Sequence, residues 1–172
     1  MAIRCRRQDS FRFRKKPFMN HSLAHAPAPL LLLAIGNDGR QDDGLGWAFG
    51  QAVEASQSVR GDIVYRYQLQ IEDALLIADY PTVLFVDACK EELPRGFSLA
   101  PLEPLATFGV TTHQLTPATV LALTQQLYGV KPQAYLLKIM GVSWELQRGL
   151  SEQASQYLER ALGNTEWGSL SR

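Results

Sequence analysis

A glycine-rich, acidic segment at residues 36–46 holds the side chains of this 172-residue chain best suited to chemistry. It follows the apolar run Leu30–Ile35, which predicts a buried strand, and it leads into a helical pattern. Ligands of α/β proteins bind where a strand ends in this way. Three carboxylates disfavour a phosphate cradle and favour metal binding or proton transfer. The candidate residues of the segment are Asp43 and its supporting loop, Gly36, Asn37, Asp42, Gly44 and Gly46, and Asp38-Gly39 is a turn former.

Two residues further along the chain can join this segment. Asp87 follows the apolar run Val83–Val86, where it either caps the exit of a central strand or acts as a metal ligand or general base. His113 lies in a polar loop before a helix, a place where a histidine is more often simply exposed. Two carboxylates and an imidazole can hold zinc or nickel and still leave positions open for a substrate. No HExxH or CxxC pair supports a tightly held resident metal. Asp42 is either an anion at a helix N-terminus or a catalytic helper.

Other reaction classes have weaker support. The chain lacks the GxSxG elbow, the GxxxxGK[ST] phosphate loop and the GxGxxG fingerprint. A thiol hydrolase would use Cys89 and His113, although a cysteine beside a buried strand is more often a small core residue. A magnesium-dependent phosphoryl-transfer enzyme would use Asp42, Asp43 and Asp87, but no lysine or Ser/Thr signature completes that site.

Strand and helix patterns alternate after a Pro/Ala linker at residues 26–29. The helix at 71–79 is expected to bury Ile71, Ala74, Leu75 and Ala78, and the proline-flanked strand at 96–102 is expected near a sheet edge. The predicted strands are 30–35, 62–68, 83–86 (stopping at Asp87), 96–102 and 135–142, and the predicted helices are 43–56, 71–79, 117–128 and 151–162.

This alternation predicts a largely parallel sheet with helices on both faces. The carboxyl ends of the parallel strands then share one edge of the sheet. Asp43 and Asp87 are therefore expected to lie together, although 44 positions separate them.

The charge is divided between a basic N-terminal arm and an acidic body. Residues 1–18 contain seven basic residues and one acidic residue, whereas the rest of the chain contains ten and sixteen. The body thus offers no basic face for nucleic acid, and no apolar segment reaches the length of a membrane span. Two cysteines, Cys5 and Cys89, provide no disulfide framework and favour a reducing cytoplasm. The expected organisation is a disordered extension and linker at 1–29, one catalytic α/β domain at 30–164 and a tail at 165–172.

The combination of motifs resembles the hydrogenase maturation endopeptidases, which process the large subunit of nickel–iron hydrogenases. The resemblance covers roughly Leu30 to Leu162 and implies a three-layer α/β/α sandwich with a five-stranded, mostly parallel sheet. No role is assigned to residues 144–149, where the chain departs from the Gly-Glu pattern of its relatives. The matching motifs are Gly36-Asn37, Asp42-Asp43-Gly44-Leu45-Gly46, Phe85-Val86-Asp87-Ala88, Thr112-His113-Gln114-Leu115 and Gly141-Val142.

The resemblance also implies a function and a site. The chain is expected to remove a C-terminal peptide from the large-subunit precursor after nickel insertion, in a family classified with aspartic-type endopeptidases. Asp43, Asp87 and His113 match the metal-binding positions of the family, and some members have Glu where this chain has Asp43. The nickel would arrive with the substrate, so no resident cofactor is expected. A non-catalytic nickel-dependent chaperone is the alternative. The protein is also expected to be monomeric and cytoplasmic. Its expected partner is the precursor, and no nucleic-acid or membrane partner is expected.

Overall fold

One five-stranded sheet runs through the computed structural model, which describes residues 29–105 and 115–171. A 3-10 turn at Gln41–Gly44 precedes the first helix, and a second at Ser169–Ser171 follows the last. The strands are β1 (Leu30–Ile35), β2 (Asp62–Arg66), β3 (Thr82–Cys89), β4 (Phe97–Pro101) and β5 (Gln133–Met140). The helices are α1 (Leu45–Ser56), α2 (Asp73–Ala78), α3 (Pro117–Tyr128), α4 (Glu152–Leu162) and α5 (Thr165–Gly168).

The strand order β2-β1-β3-β5-β4 creates a switch point between β1 and β3. The chain leaves β1 towards one side of the sheet to form β2 and then crosses to the other side to form β3. All pairs are parallel except β4 with β5, and β4 lies at the edge, as the flanking prolines predicted. Loops at such a switch point diverge and leave a crevice at the carboxyl ends of the strands.

Helices cover both faces of the sheet and bury two apolar layers. The continuous apolar run of β1 is fully consistent with this arrangement, because every one of its side chains is buried. Leu30, Leu32 and Ala34 belong to the layer that contains residues of α1, α4 and α5. Leu31, Leu33 and Ile35 belong to the opposite layer, with residues of α2 and α3. The predicted three-layer α/β/α sandwich is confirmed.

Strand β3 is longer than its apolar run, so the expectation that it stops at Asp87 is wrong. Its pairing with β5 continues through Asp87 opposite Lys138 and Cys89 opposite Met140. The ladder needs only backbone groups, and it therefore extends past the point where the side chains cease to be apolar. Asp87 consequently lies within a strand, whose hydrogen bonds hold its backbone.

Helix α2 presents a different face from the one predicted. Ile71 precedes the helix and is 60% exposed, and Leu75 is 55% exposed, whereas Ala74 and Ile77 are fully buried. The cause is Asp73, whose carboxylate accepts hydrogen bonds of 2.8 Å from Arg66 Nε and from the backbone N–H of Gln70. These contacts hold Asp73 inward at the first turn. The buried face of the helix is therefore the one that contains Asp73, Ala74 and Ile77.

The other helices follow the predicted pattern with small shifts at their ends. The helix predicted from residue 43 begins as the 3-10 turn and becomes α-helical at Leu45. Thr116 caps α3 as predicted, accepting a hydrogen bond of 3.2 Å from the N–H of Thr119. Strands predicted at 62–68 and 135–142 end earlier, at Arg66 and Met140. Within the described ranges, no helix combines the length and apolar character needed to cross a membrane.

Candidate active site at the sheet switch point

A cleft of about 570 Å³ opens at the carboxyl ends of the central strands, and Asp43 and Asp87 both line it. Asp43 comes from the 3-10 turn after β1, and Asp87 comes from β3. They flank the switch point, where α/β proteins place their ligands. The sequence-based expectation that these two carboxylates share one site therefore agrees with their positions.

Asp87 is the carboxyl group most strongly perturbed by this environment. Burial raises its pKa to about 7, and the nearby negative charge of Asp43 acts in the same direction. The N–H of Ala88 donates a hydrogen bond of 2.8 Å to Asp87 Oδ1, which only partly offsets these effects. A carboxyl with a pKa near neutrality can both accept and return a proton at working pH.

The pKa of Asp43 is shifted less than that of Asp87, because two cations lie near it. Burial raises its pKa, while the positive charges of Arg40 and Lys90 act in the opposite direction. Arg40 and Lys90 line the same cleft as the two carboxylates. The two acids therefore differ in environment, which is the arrangement needed for one carboxylate to stay ionised while the other exchanges a proton.

Asp42 is fully buried and acts as an anchor for a distant loop. Its Oδ2 accepts hydrogen bonds of 2.8 Å from the N–H groups of Val142 and Ser143 and from Ser151 Oγ, and its Oδ1 accepts one of 2.7 Å from the N–H of Ser151. Burial alone would raise its pKa, but these hydrogen bonds outweigh burial and lower it. With both oxygens occupied, Asp42 holds the loop of residues 141–151 rather than facing the cleft.

Two glycines allow the backbone of this turn to pack against the sheet. Gly36 has a φ of +141°, and a Cβ there would collide with the carbonyl oxygen of Asp43. A Cβ on Gly46 would collide with the carbonyl oxygen of Ile35 and would lie 2.6 Å from that of Val86. The first turn of α1 can thus rest directly against β1 and β3.

The remaining turn residues fix the path of the backbone. The N–H of Asn37 donates to the carbonyl of Asp43 at 3.0 Å, and its Oδ1 accepts from the N–H of Gly39 at 2.9 Å. Gly44 is buried at the end of the 3-10 turn. Gln41 has the unusual φ of +45°, which is held by the hydrogen bond that its N–H donates to Gln147 O and by the one that its Oε1 accepts from Ser143 Oγ.

His113 lies outside the described residues. Leu115, Thr116 and Pro117, which follow it along the chain, line the cleft. Among residues 29–105 and 115–171, no group of three or more His, Cys, Asp or Glu side chains is placed to hold a metal ion.

Three residues of the cleft were not identified from the sequence. Trp144 belongs to the segment that was assigned no role, yet it lines the cleft, and Lys90 Nζ lies 5.0 Å from the centroid of its ring. Arg40 and Lys90 were indistinguishable from ordinary surface cations. A loop tryptophan just after a strand end is the one hint that was available, because loops at this edge of the sheet carry ligand-binding residues.

Cys89 has the properties of an unreactive thiol. Burial raises its pKa, and its Sγ lies 3.8 Å from the carbonyl oxygen of Glu91. A nucleophilic cysteine needs the opposite shift, since the thiolate is the reactive form. This environment disfavours the thiol hydrolase alternative.

The fold matches solved structures, although comparison with protein-family models and with curated protein sequences finds no match. The hydrogenase maturating endopeptidase HybD from E. coli is 23% identical, with a TM-score of 0.63 over 78% of this chain and 87% of that one. The [NiFe] hydrogenase maturation protease HycI from Thermococcus kodakarensis is 26% identical, with a TM-score of 0.59 over 83% and 92%. A hydrogenase 3 maturation protease is 19% identical, with a TM-score of 0.62 over 84% and 93%. The chain therefore has the fold of these hydrogenase maturation proteases.

Proposed function

We propose that this chain is an endopeptidase that removes a C-terminal peptide from the large-subunit precursor of a nickel–iron hydrogenase after nickel insertion. The observation that carries the proposal is the pair of dissimilar carboxylates, Asp43 and Asp87, in one cleft at the sheet switch point. The likeness to solved maturation proteases, one of them 26% identical over most of both chains, supports the same substrate class.

Nickel enters this proposal as part of the substrate. Two carboxylates are too few to hold a resident ion firmly, but they can complete the coordination of a metal that the precursor already binds. His113, two residues before the cleft residue Leu115, is the proposed third contact. Recognition of the metal would then restrict cleavage to loaded precursor.

The proposed hydrolysis assigns separate roles to the two acids. Asp87, whose pKa is about 7 in the metal-free protein, contacts the metal through one carboxylate oxygen and with the other removes a proton from the attacking water and returns it to the amine of the leaving peptide. Water oxygen bonds to the scissile carbonyl carbon, and the C–N bond then breaks. Asp43, which the cations favour in its ionised form, docks the metal. The assignment to the aspartic-type peptidases follows from these roles and is part of the proposal.

The test is cleavage of nickel-loaded precursor, produced with the hydrogenase of the same organism and followed by mass spectrometry. The wild-type protein is expected to shorten the loaded precursor and to leave the nickel-free precursor intact. Asp87→Asn is expected to lower the rate at least about 100-fold, because it removes the proton acceptor without changing the side-chain volume. Asp43→Asn and His113→Ala are expected to weaken binding of loaded precursor as well.

Two comparisons, one between variants and one between binding and cleavage, separate this function from its alternatives. Cys89→Ser is expected to retain activity, whereas a thiol hydrolase would lose it and would tolerate Asp87→Asn. Binding of loaded precursor without any shortened product would identify a nickel-dependent chaperone and reject the peptidase. The cytoplasmic location, the monomeric state and the absence of nucleic-acid and membrane partners stay predictions.

A further inference from the structure

Two cations stand beside the two carboxylates of the cleft, and neither has an ion-pair partner among the residues that the structure describes. The ion pairs of the described residues involve Arg66, Lys131 and Lys138, and none involves Arg40 or Lys90. Both side chains are exposed in the cleft, and both act electrostatically on Asp43. Cations left unpaired in a concave site are available to a ligand.

The positions of these cations are set by the fold. The turn that carries Asp43 also fixes Arg40, whose N–H donates to Asn37 O and whose carbonyl accepts from Asp43 N–H, each at 3.1 Å. Lys90 directly follows β3, and its ammonium group faces the ring of Trp144. A cation over an indole face is attracted to it and loses water on that side.

Trp144 is held in place by the buried anchor described above. Asp42 binds the backbone N–H groups of Val142 and Ser143, immediately before Trp144, and the Gln41 side chain accepts from Glu145 N–H at 3.4 Å, immediately after it. A Cβ on Gly141 would lie 2.8 Å from the Trp144 ring and 2.9 Å from Asp42 Cβ, so this loop start is tightly packed. The tryptophan is therefore a fixed wall of the cleft.

We propose that Arg40, Lys90 and Trp144 form a subsite that binds a carboxylate of the substrate peptide beside the scissile bond. The cleft contains both charges: Asp43 and Asp87 can bind the positive metal centre, and the two cations can bind an anionic group. The inference rests on the proposed peptidase function. The carboxylate belongs either to an acidic side chain or to the free C-terminus of the departing peptide, since both present the same two oxygens to Arg and Lys.

Binding can be measured without cleavage, on the full chain labelled with [15N]tryptophan. The probes are three synthetic peptides copied from the C-terminal segment of the precursor: the free acid, the C-terminal amide, and a form with Asp and Glu replaced by Asn and Gln. The free acid is expected to shift the indole N–H signal of Trp144, assigned by Trp144→Phe, and not that of Trp167, which is buried and bonded to Ala161 O. If the amide binds about tenfold more weakly than the free acid, the ligand is the C-terminal carboxylate. If the form with Asn and Gln shows that loss, the ligand is an acidic side chain.

Charge-removing variants complete the test. Lys90→Met and Arg40→Gln are each expected to weaken binding of the free acid about tenfold. Lys131→Met, which removes an exposed cation paired with Glu103, is the matched control and should leave binding unchanged. Equal binding of all three peptides, or no effect of either cleft variant, would overturn the subsite.

Cleavage kinetics separate this inference from the proposed function. Lys90→Met is expected to raise KM for loaded precursor about tenfold while kcat is retained, because the lost contact stabilises the bound substrate and the transition state equally. A rise in KM for loaded precursor without any loss of binding of the metal-free peptides would mean that the cations act only through Asp43, and would reject the subsite. Carboxylate-dependent binding by a protein that cleaves no precursor would instead reject the peptidase and leave the subsite standing.

Discussion

The three aspartates around the cleft show how one residue type acquires different properties from its surroundings. Asp42 is fully buried, but four hydrogen bonds satisfy its oxygens and lower its pKa. Within the described part of the chain Asp87 receives one hydrogen bond, from a backbone N–H, and has Asp43 nearby, so burial prevails and its pKa rises to about 7. The number of donors, more than the depth of burial, decides which of these acids can exchange a proton near neutral pH.

The pKa of Asp87 predicts a pH dependence of stability for the metal-free protein. The folded value of about 7 lies above the ordinary value of 3.8, so the folded state keeps a proton that the unfolded state releases. The contribution of Asp87 to the free energy of unfolding therefore falls as pH rises from about 4 to 7, by at most about 4 kcal/mol, and is level above that. Urea unfolding of protein in a chelator from pH 5 to 8, compared with Asp87→Asn, measures this.

Asp87→Asn should remove that slope and should become more stable than wild type towards pH 8. Asp38→Asn, a change at an exposed residue of the same turn, is the control and should preserve the slope. Parallel curves for wild type and Asp87→Asn across this range would contradict the raised pKa.

At the scale of elements, the 3-10 turn and the loop of residues 141–151 form one unit although they lie about 100 positions apart. Asp42 joins the turn to the loop and also binds Ser151, the residue that caps α4 through its hydrogen bond to Ala154 N–H. The same carboxylate thus orders the turn that carries Asp43, the loop that carries Trp144 and the first turn of a helix. Loss of this anchor should disturb both sides of the cleft.

Asp42→Asn is expected to lower the free energy of unfolding by about 3 kcal/mol. An amide presents one NH2 group in place of an acceptor oxygen, so at least one buried N–H of the loop is left without its partner and faces another donor. Chemical denaturation at pH 7 measures the change, and the exposed Asp38→Asn again serves as the control. A loss below about 0.5 kcal/mol, the range of ordinary surface substitutions, would show that the anchor is dispensable.

At the scale of the whole molecule, the end of the chain completes one face of the sandwich. Trp167 of α5 is 5% exposed, packs edge-on against Phe49 of α1 with ring centroids 5.0 Å apart, and donates from Nε1 to Ala161 O at 3.0 Å. It lies in the segment 165–172 that was expected to be a tail. This tryptophan belongs to the same apolar layer as β1, α1 and α4.

Trp167→Ala is expected to destabilise the protein by about 3–5 kcal/mol, because it leaves a cavity in the apolar layer and removes a buried hydrogen bond. Calorimetry measures the fall in Tm. Leu146→Ala, at a side chain that is 87% exposed, is the control and should change the Tm little. Equal Tm values for the two variants would mean that α5 contributes nothing to the core.

Much of this architecture followed from local patterns in the sequence. The continuous apolar runs of β1 and β3 are typical of strands covered on both faces, and Thr116-Pro117 marks the start of α3 by side-chain chemistry alone. Alternation of strands and helices then predicted the parallel sheet and brought Asp43 and Asp87 to one edge. These features depend on residues close together in the chain, which is why they could be predicted.

Tertiary structure alone decided the rest. Asp42 became an anchor because its partners lie 100 to 109 positions away, and no local pattern encodes such a pairing. The exposed side of α2 was set by the contact of Asp73 with Arg66 of a neighbouring strand, which overrode the apolar spacing of the helix. Trp144 and Lys90 likewise meet only where two loops converge over the sheet. The sequence by itself determined most of the strands and helices and the edge of the sheet where the acids gather, and long-range packing decided which acid is a structural anchor, which has a pKa near neutrality and what surrounds them.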